Sequence, residues 1–199
     1  SGNSFAEAAF LYAQGNHGVA LAHHSHAAGH ILSGIARGLP VLLLYRDPID
    51  AAASFMEACQ GALAPDVALW EYYQFHRPLL DQTDHMTLGA FETLTRNFPS
   101  LIRRMNIRFG CSFKEFHHTP EAELEIRSIV DEISLRRSKF LTRYSSGRGV
   151  EEKATRAAVL EGYRSELRES TVLSEARAAA LESYRRLQVL EAQQIRTAL

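Results

Sequence analysis

Three short stretches of this sequence hold residues whose types and spacing could do chemistry. The first is Ser1-Gly2-Asn3-Ser4-Phe5, small and hydroxyl residues at the start of a helix-forming segment. Free backbone N–H groups at a helix start, together with the helix dipole, favour an anion there. An ordinary N-cap by Ser4 accounts for the same residues, and the chain has no Gly-x-x-x-x-Gly-Lys-Ser/Thr phosphate loop. The second stretch is His23-His24-Ser25-His26, after the apolar run Val19–Ala22. A histidine titrates near neutrality and can take a proton from a hydroxyl or an amine. A metal site is the rival, although no cysteine or acidic residue adjoins the cluster, and polar residues at a strand end are the plainest alternative. The third is Tyr45-Arg46-Asp47-Pro48-Ile49-Asp50-Ala51-Ala52-Ala53-Ser54. A guanidinium at a strand end, with a hydroxyl two helical turns further on, suits a phosphate. Ion pairing of Arg46 with Asp47 or Asp50 is the competing explanation.

The elements that must position these residues are legible from apolar periodicity. Phe5–Gln14 reads as a helix closed by Gly15, and Ala27–Arg37 as a helix closed by Gly38. Val41–Tyr45 is a continuous apolar run of strand length between Pro40 and Arg46-Asp47-Pro48, the pattern of a strand buried on both faces. Asp47 can cap, and Pro48 can open, a helix over residues 48–60. Ala68–Leu80 reads as a helix with Pro78 near its end, and Met86–Phe91 as a further strand. Pro99–Phe109, Pro120–Phe140, Glu151–Leu167 and Val172 onward read as helices, with a Ser, Gly and Arg-rich loop over 141–150. Apolar runs alternating with helices predict an α/β fold: a parallel sheet with crossover helices and a helical C-terminal part. In such sheets ligands bind at the carboxyl ends of the strands, so the three stretches should share one rim.

Composition narrows the function classes. Across 199 residues, 22 Lys and Arg against 23 Asp and Glu give a net charge of −1, which argues against a nucleic-acid binder driven by bulk electrostatics. Two cysteines, Cys59 and Cys111, make no disulfide framework and lack zinc-site spacing. No apolar run is long enough for a membrane span. The chain opens on Ser1 instead of Met, so an N-terminal part is expected to be missing and a targeting signal is not excluded.

Taken in order, the three stretches resemble the sulfotransferases that use 3′-phosphoadenosine 5′-phosphosulfate. Ser1–Phe5 is similar to the back half of their Pro-Lys-Ser-Gly-Thr-Thr-Trp loop, and His24-Ser25-His26 to their Lys-Thr-His stretch. Residues 45–55, YRDPIDAAASF, closely resemble the motif Arg-Asn/Asp-Pro-x-Asp-x-x-x-Ser that holds the 3′-phosphate. Phe91-Glu92-Thr93-Leu94 resembles the family's Tyr-Glu-Asp-Leu, and Ser146-Gly147-Arg148-Gly149 stands loosely where a late Arg-Lys-Gly-x-x-Gly loop would be. The match departs from the family in three places. The loop lysine would precede Ser1, His24 replaces the usual Lys, and the stretch from Ser1 to Arg46 is short.

The resemblance implies a P-loop-like three-layer sandwich over residues 1–150, its first strand missing, with the helices of 151–199 packed on or extending from it. It implies His26 as general base toward a hydroxyl or amine of a small-molecule acceptor. Donor contacts would come from Ser1, Gly2, Asn3, Ser4 and Phe5 at the 5′-phosphosulfate, and from Arg46 and Ser54 at the 3′-phosphate. Phe91 would lie near the adenine, and Arg148 in the late loop. No metal is required, a cytoplasmic location is expected, and a homodimer is compatible with the chain. Two alternatives stand beside it. One is a P-loop small-molecule kinase, which would need Mg²⁺ and an upstream Lys. The other is a catalytically silent nucleotide-binding or assembly protein of the same fold. The aromatic segment Trp70–His76 suits an acceptor pocket and a packed core equally. The apolar stripe Leu173, Ala176, Ala180, Tyr184 and Leu187 is expected to pack on its own domain.

Overall fold

The computed structural model describes residues 2–15, 19–22, 27–140 and 150–197. Its elements run α1 (Gly2–Gln14), α2 (Ala28–Ala36), β1 (Leu42–Tyr45), α3 (Pro48–Ala58), α4 (Pro65–His76), β2 (Thr87–Ala90), α5 (Phe91–Phe109), α6 (Pro120–Phe140), α7 (Val150–Glu169) and α8 (Ser174–Thr197). The two strands pair in parallel, Leu42 opposite Thr87 and Tyr45 opposite Ala90. A parallel pair cannot be joined by a hairpin. The crossover here is α3, α4 and a 3-10 segment, Arg77–His85, that begins where Pro78 withholds an N–H from the helical ladder. α3 starts as its sequence dictates. The Asp47 carboxylate accepts from the N–H groups of Ile49 (2.9 Å) and Asp50 (3.2 Å), and Pro48 takes the first turn.

Alternation along β1 sends Leu43 and Tyr45 to one face and Leu42 and Leu44 to the other. The first face packs with Leu88 of β2, Leu79 and Met86, Leu187 of α8 and the apolar side of α2. The second packs with Phe10 of α1, Phe98 and Leu101 of α5, and Ile126 of α6. Helices therefore cover both faces of the strand pair, as the unbroken apolar run predicts. On the second face the contact is close enough to require a glycine. A Cβ on Gly89 would lie 2.9 Å from Leu101 Cδ1 and 3.1 Å from Leu44 Cδ2. A third cluster joins α3, α4, α7 and α8 through Met56, Leu69, Leu167 and Ala180. Fully burying a leucine contributes roughly 1.5–3 kcal/mol, so these three clusters carry most of the fold's stabilisation.

The C-terminal stripe packs on its own chain: Leu173, Ala176, Ala180 and Leu187 are buried and Tyr184 is half-buried against them. α5 extends further than the periodicity over 99–109 indicates. It starts at Phe91, directly after β2, and is interrupted at Asn97, just before Pro99. Gly110 closes it with φ 63°, donating its N–H to the Asn106 carbonyl. Val19–Ala22 is not a strand. Val19 and Leu21 are half-buried on the second face, while Ala20 and Ala22 are exposed, so this short stretch has only two apolar anchors. The described residues thus hold a two-stranded parallel sheet in a mostly helical chain, an α/β arrangement with less sheet than a three-layer sandwich has. Among them, no helix is long and apolar enough to cross a membrane.

Candidate functional site

Arg46 leaves the carboxyl end of β1, and Phe91 follows the carboxyl end of β2. Because the strands are parallel and in register, the two residues meet. The Arg46 guanidinium carbon lies 4.5 Å from the Phe91 ring centroid, a cation–π stack. α3 turns back beneath them and brings Ser54 to the same point, where Arg46 Nη1 donates to Ser54 Oγ at 3.5 Å. Arg46 Nη2 donates to Asp50 Oδ2 at 3.1 Å, one helical turn before Ser54. The arginine's backbone is anchored too, since the Tyr72 hydroxyl donates to the Arg46 carbonyl oxygen at 2.8 Å. Arg46 Nε is buried with no partner among the described residues.

Asp50 has a second partner. Arg164 of α7 donates through Nε to Asp50 Oδ1 at 2.6 Å, so one carboxylate serves two guanidiniums. Burial alone would raise the Asp50 pKa, but the hydrogen bonds and charges of Arg164 and Arg46 outweigh it and hold the carboxyl below its ordinary value. The Asp50 hydrogen bond in turn raises the Arg164 pKa. Arg46, Asp50 and Arg164 keep 27%, 31% and 22% of their side-chain surface exposed, so an anion arriving from solvent can reach the cluster. Glu161 also accepts from Arg164 Nη1 at 3.3 Å, so the charges nearly balance, and the cluster offers guanidinium donors, a hydroxyl and an aromatic face at one rim of a parallel strand pair.

The structure thus brings together Arg46, Ser54 and Phe91, three of the residues singled out in the sequence, and confirms the Arg46–Asp50 pair that competes with the phosphate reading. Phe91 lies under the guanidinium. Gly2, Asn3, Ser4 and Phe5 form the first turn of α1, and Phe5 packs in the same apolar cluster as Phe91. Ser1, the histidine cluster with His26, and Arg148 lie outside the described residues. In the aromatic segment, Tyr72 and His76 are core residues, their rings 4.2 Å apart. Among the described residues, no group of three or more His, Cys, Asp or Glu side chains could hold a metal ion.

Two groups of functional weight are not evident from local sequence. Arg164 reaches Asp50 from 114 residues downstream, and no spacing rule connects them. Glu191 of α8 forms a second, deeper polar cluster. Its carboxylate accepts from the Tyr45 hydroxyl at 2.5 Å, from Arg104 Nη1 at 2.8 Å and from the Ala90 N–H at 3.4 Å. One turn later, Gln194 accepts from the Leu88 N–H at 3.1 Å and donates to the carbonyls of Thr83 and Met86. These two side chains cap alternate N–H groups along the outer edge of β2. A signal for them existed: positions 191 and 194 continue the helical spacing of the apolar stripe, so polar residues there had to be buried and paired. No protein-family model matches the chain, and neither the curated proteins nor the solved structures contain a match to it.

Proposed function

We propose that this chain is a sulfotransferase-type protein with a larger P-loop-like sheet than the described pair. Arg46 and Ser54 hold the 3′-phosphate of 3′-phosphoadenosine 5′-phosphosulfate, and the sulfuryl group passes to a hydroxyl or amine of a small-molecule acceptor. The observation that carries this reading is the convergence of Arg46, Ser54 and Phe91 at the carboxyl ends of adjacent parallel strands. Those are the residues that the resemblance assigns to one nucleotide, and ligands bind there in such sheets. The unpartnered Arg46 Nε, and a hydroxyl held only loosely at 3.5 Å, leave donor capacity for an anion. In this reading the first turn of α1 binds the 5′-phosphosulfate with its N–H groups and Ser4, and Arg148 is a further donor-binding residue. His26 takes the acceptor proton. Sulfuryl transfer resembles phosphoryl transfer, in which placement and charge stabilisation do most of the work.

Calorimetry with 3′-phosphoadenosine 5′-phosphate and with AMP tests it. The 3′-phosphate should bind more tightly, and Arg46→Ala should remove that preference at a loss of about 1.5–3 kcal/mol. Equal affinity for the two nucleotides overturns the assignment. A second reading, a nucleotide-binding protein without turnover, rests on His24, which stands where the family has its usual Lys. Nucleotide binding without sulfuryl transfer to a phenol, an alcohol or an amine selects it. If turnover occurs, His26→Ala should lower kcat by roughly 10²–10⁴-fold with donor affinity unchanged.

A further inference from the structure

The opposite, amino end of β2 carries a cavity of about 270 Å³ lined by Thr87, Arg104, Ile107, Arg108, Gln194 and Thr197. Arg104 and Arg108 stand one turn apart on α5, so both guanidiniums face this space. Arg104 spends Nη1 on Glu191 at 2.8 Å, yet its Nη2 is buried with no partner among the described residues. Across the cavity the Thr87 hydroxyl is in the same condition, on a residue only 1% exposed. Arg108 Nη1 donates to the Asp84 carbonyl oxygen at 2.7 Å. Burial, together with the neighbouring Arg104 charge, holds the Arg108 guanidinium below its ordinary pKa despite the nearby Asp84 carboxylate.

The remaining polar lining is already committed. Both ends of the Gln194 amide are bonded to backbone, and the Thr197 hydroxyl donates to the carbonyls of Gln193 and Gln194. What is left unsatisfied is a guanidinium N–H and a hydroxyl, beside a second guanidinium. A buried donor without a partner costs free energy, and this set selects a guest rich in acceptors. A planar carboxylate matches a single guanidinium fork, whereas donors arriving from three side chains suit a tetrahedral oxyanion. The volume falls below the roughly 300–1,000 Å³ of pockets that take larger organic ligands.

We propose that this cavity binds a phosphate-sized oxyanion, held by Arg104, Arg108 and the Thr87 hydroxyl. The site lies at the other end of the strands from Arg46 and does not depend on the sulfotransferase reading. Titrating the whole chain with inorganic phosphate at constant ionic strength, by calorimetry, should give saturable binding in the millimolar range or tighter. Thr87→Val, which keeps the β-branched shape, and Arg108→Gln should each weaken it by about 10-fold. Titrating Arg46→Ala, in which the nucleotide site cannot contribute, should still give saturable phosphate binding, which separates this cavity from that site. Three outcomes overturn the proposal: no saturable phosphate binding by the native chain, binding indifferent to both Thr87→Val and Arg108→Gln, or binding lost in Arg46→Ala.

Discussion

Two carboxylates, Asp50 and Glu191, each hold an arginine beside the same pair of strands, and they do it under opposite conditions. Asp50 sits between Arg46 and Arg164 with about a third of its side chain in solvent, and both arginines keep a fifth or more of theirs exposed. Glu191 keeps 7% and its partner Arg104 13%, and a tyrosine hydroxyl and a backbone N–H complete its shell. Burial makes the Glu191 cluster costly to break, because the Tyr45 hydroxyl and the Ala90 N–H would be left without their buried partner. At Asp50, water and salt compete for every charge, so the pair can open for an incoming anion at small cost. Tyr45 and Arg46 are neighbours in sequence, and one belongs to each cluster. The difference separates a seam that is largely shut off from solvent from a mouth that is open to it.

The contrast can be broken most sharply at Glu191. Glu191→Ala should lower stability by about 3–5 kcal/mol in urea unfolding, because Arg104 and the Tyr45 hydroxyl lose their buried partner. A loss near 1 kcal/mol would make the seam no stronger than the mouth.

The floor of the mouth offers the next largest effect. His76 stacks on Tyr72, the residue that anchors the Arg46 carbonyl, and burial pushes its pKa down to about 4 from 6.5 even though its Nδ1 bonds the Tyr72 carbonyl oxygen. Between those pH values the unfolded chain binds more protons than the folded one, so stability falls as pH drops from 6.5 toward 4 and is insensitive to this group above 6.5. The full contribution is roughly 3 kcal/mol. The difference between native and His76→Phe stability curves should show that slope, and parallel curves over the window would remove the histidine as its source.

Asp50→Asn sharpens the comparison from the other side. It should change stability by less than about 1 kcal/mol, since the ion pairs are part-exposed. By removing the carboxylate that faces Arg46 it should tighten binding of 3′-phosphoadenosine 5′-phosphate by roughly 3–10-fold. Weaker binding would mean that Asp50 positions Arg46 instead of competing for it.

What the sequence disclosed follows the range of the forces involved. The strand at Leu42–Tyr45, the Asp47 cap and the Pro48 helix start rest on neighbours within a few residues, and all are read correctly from the chain. The pairing of Arg46 with Ser54 and with Asp50 is legible for the same reason, because helical spacing aligns them. Arg164 and Glu191 act on partners 114 and 146 residues away, and although helical spacing marks position 191 as inward-facing, it names neither side chain's partner. Val19–Ala22 misleads because apolar residues alone do not make a strand, which must also find a neighbour to bond.

The outer edge of β2 depends on a helix that lies far along the chain, Leu88 and Gln194 being separated by 106 residues. At a synthesis rate of roughly 5–20 residues per second, that edge is made about 5–20 s before its cover exists. During that interval the nascent chain presents unpaired N–H groups beside apolar residues, the surface that other strands add to. Folding of the first half is therefore provisional until α8 emerges, and this interval is when the chain most needs a chaperone.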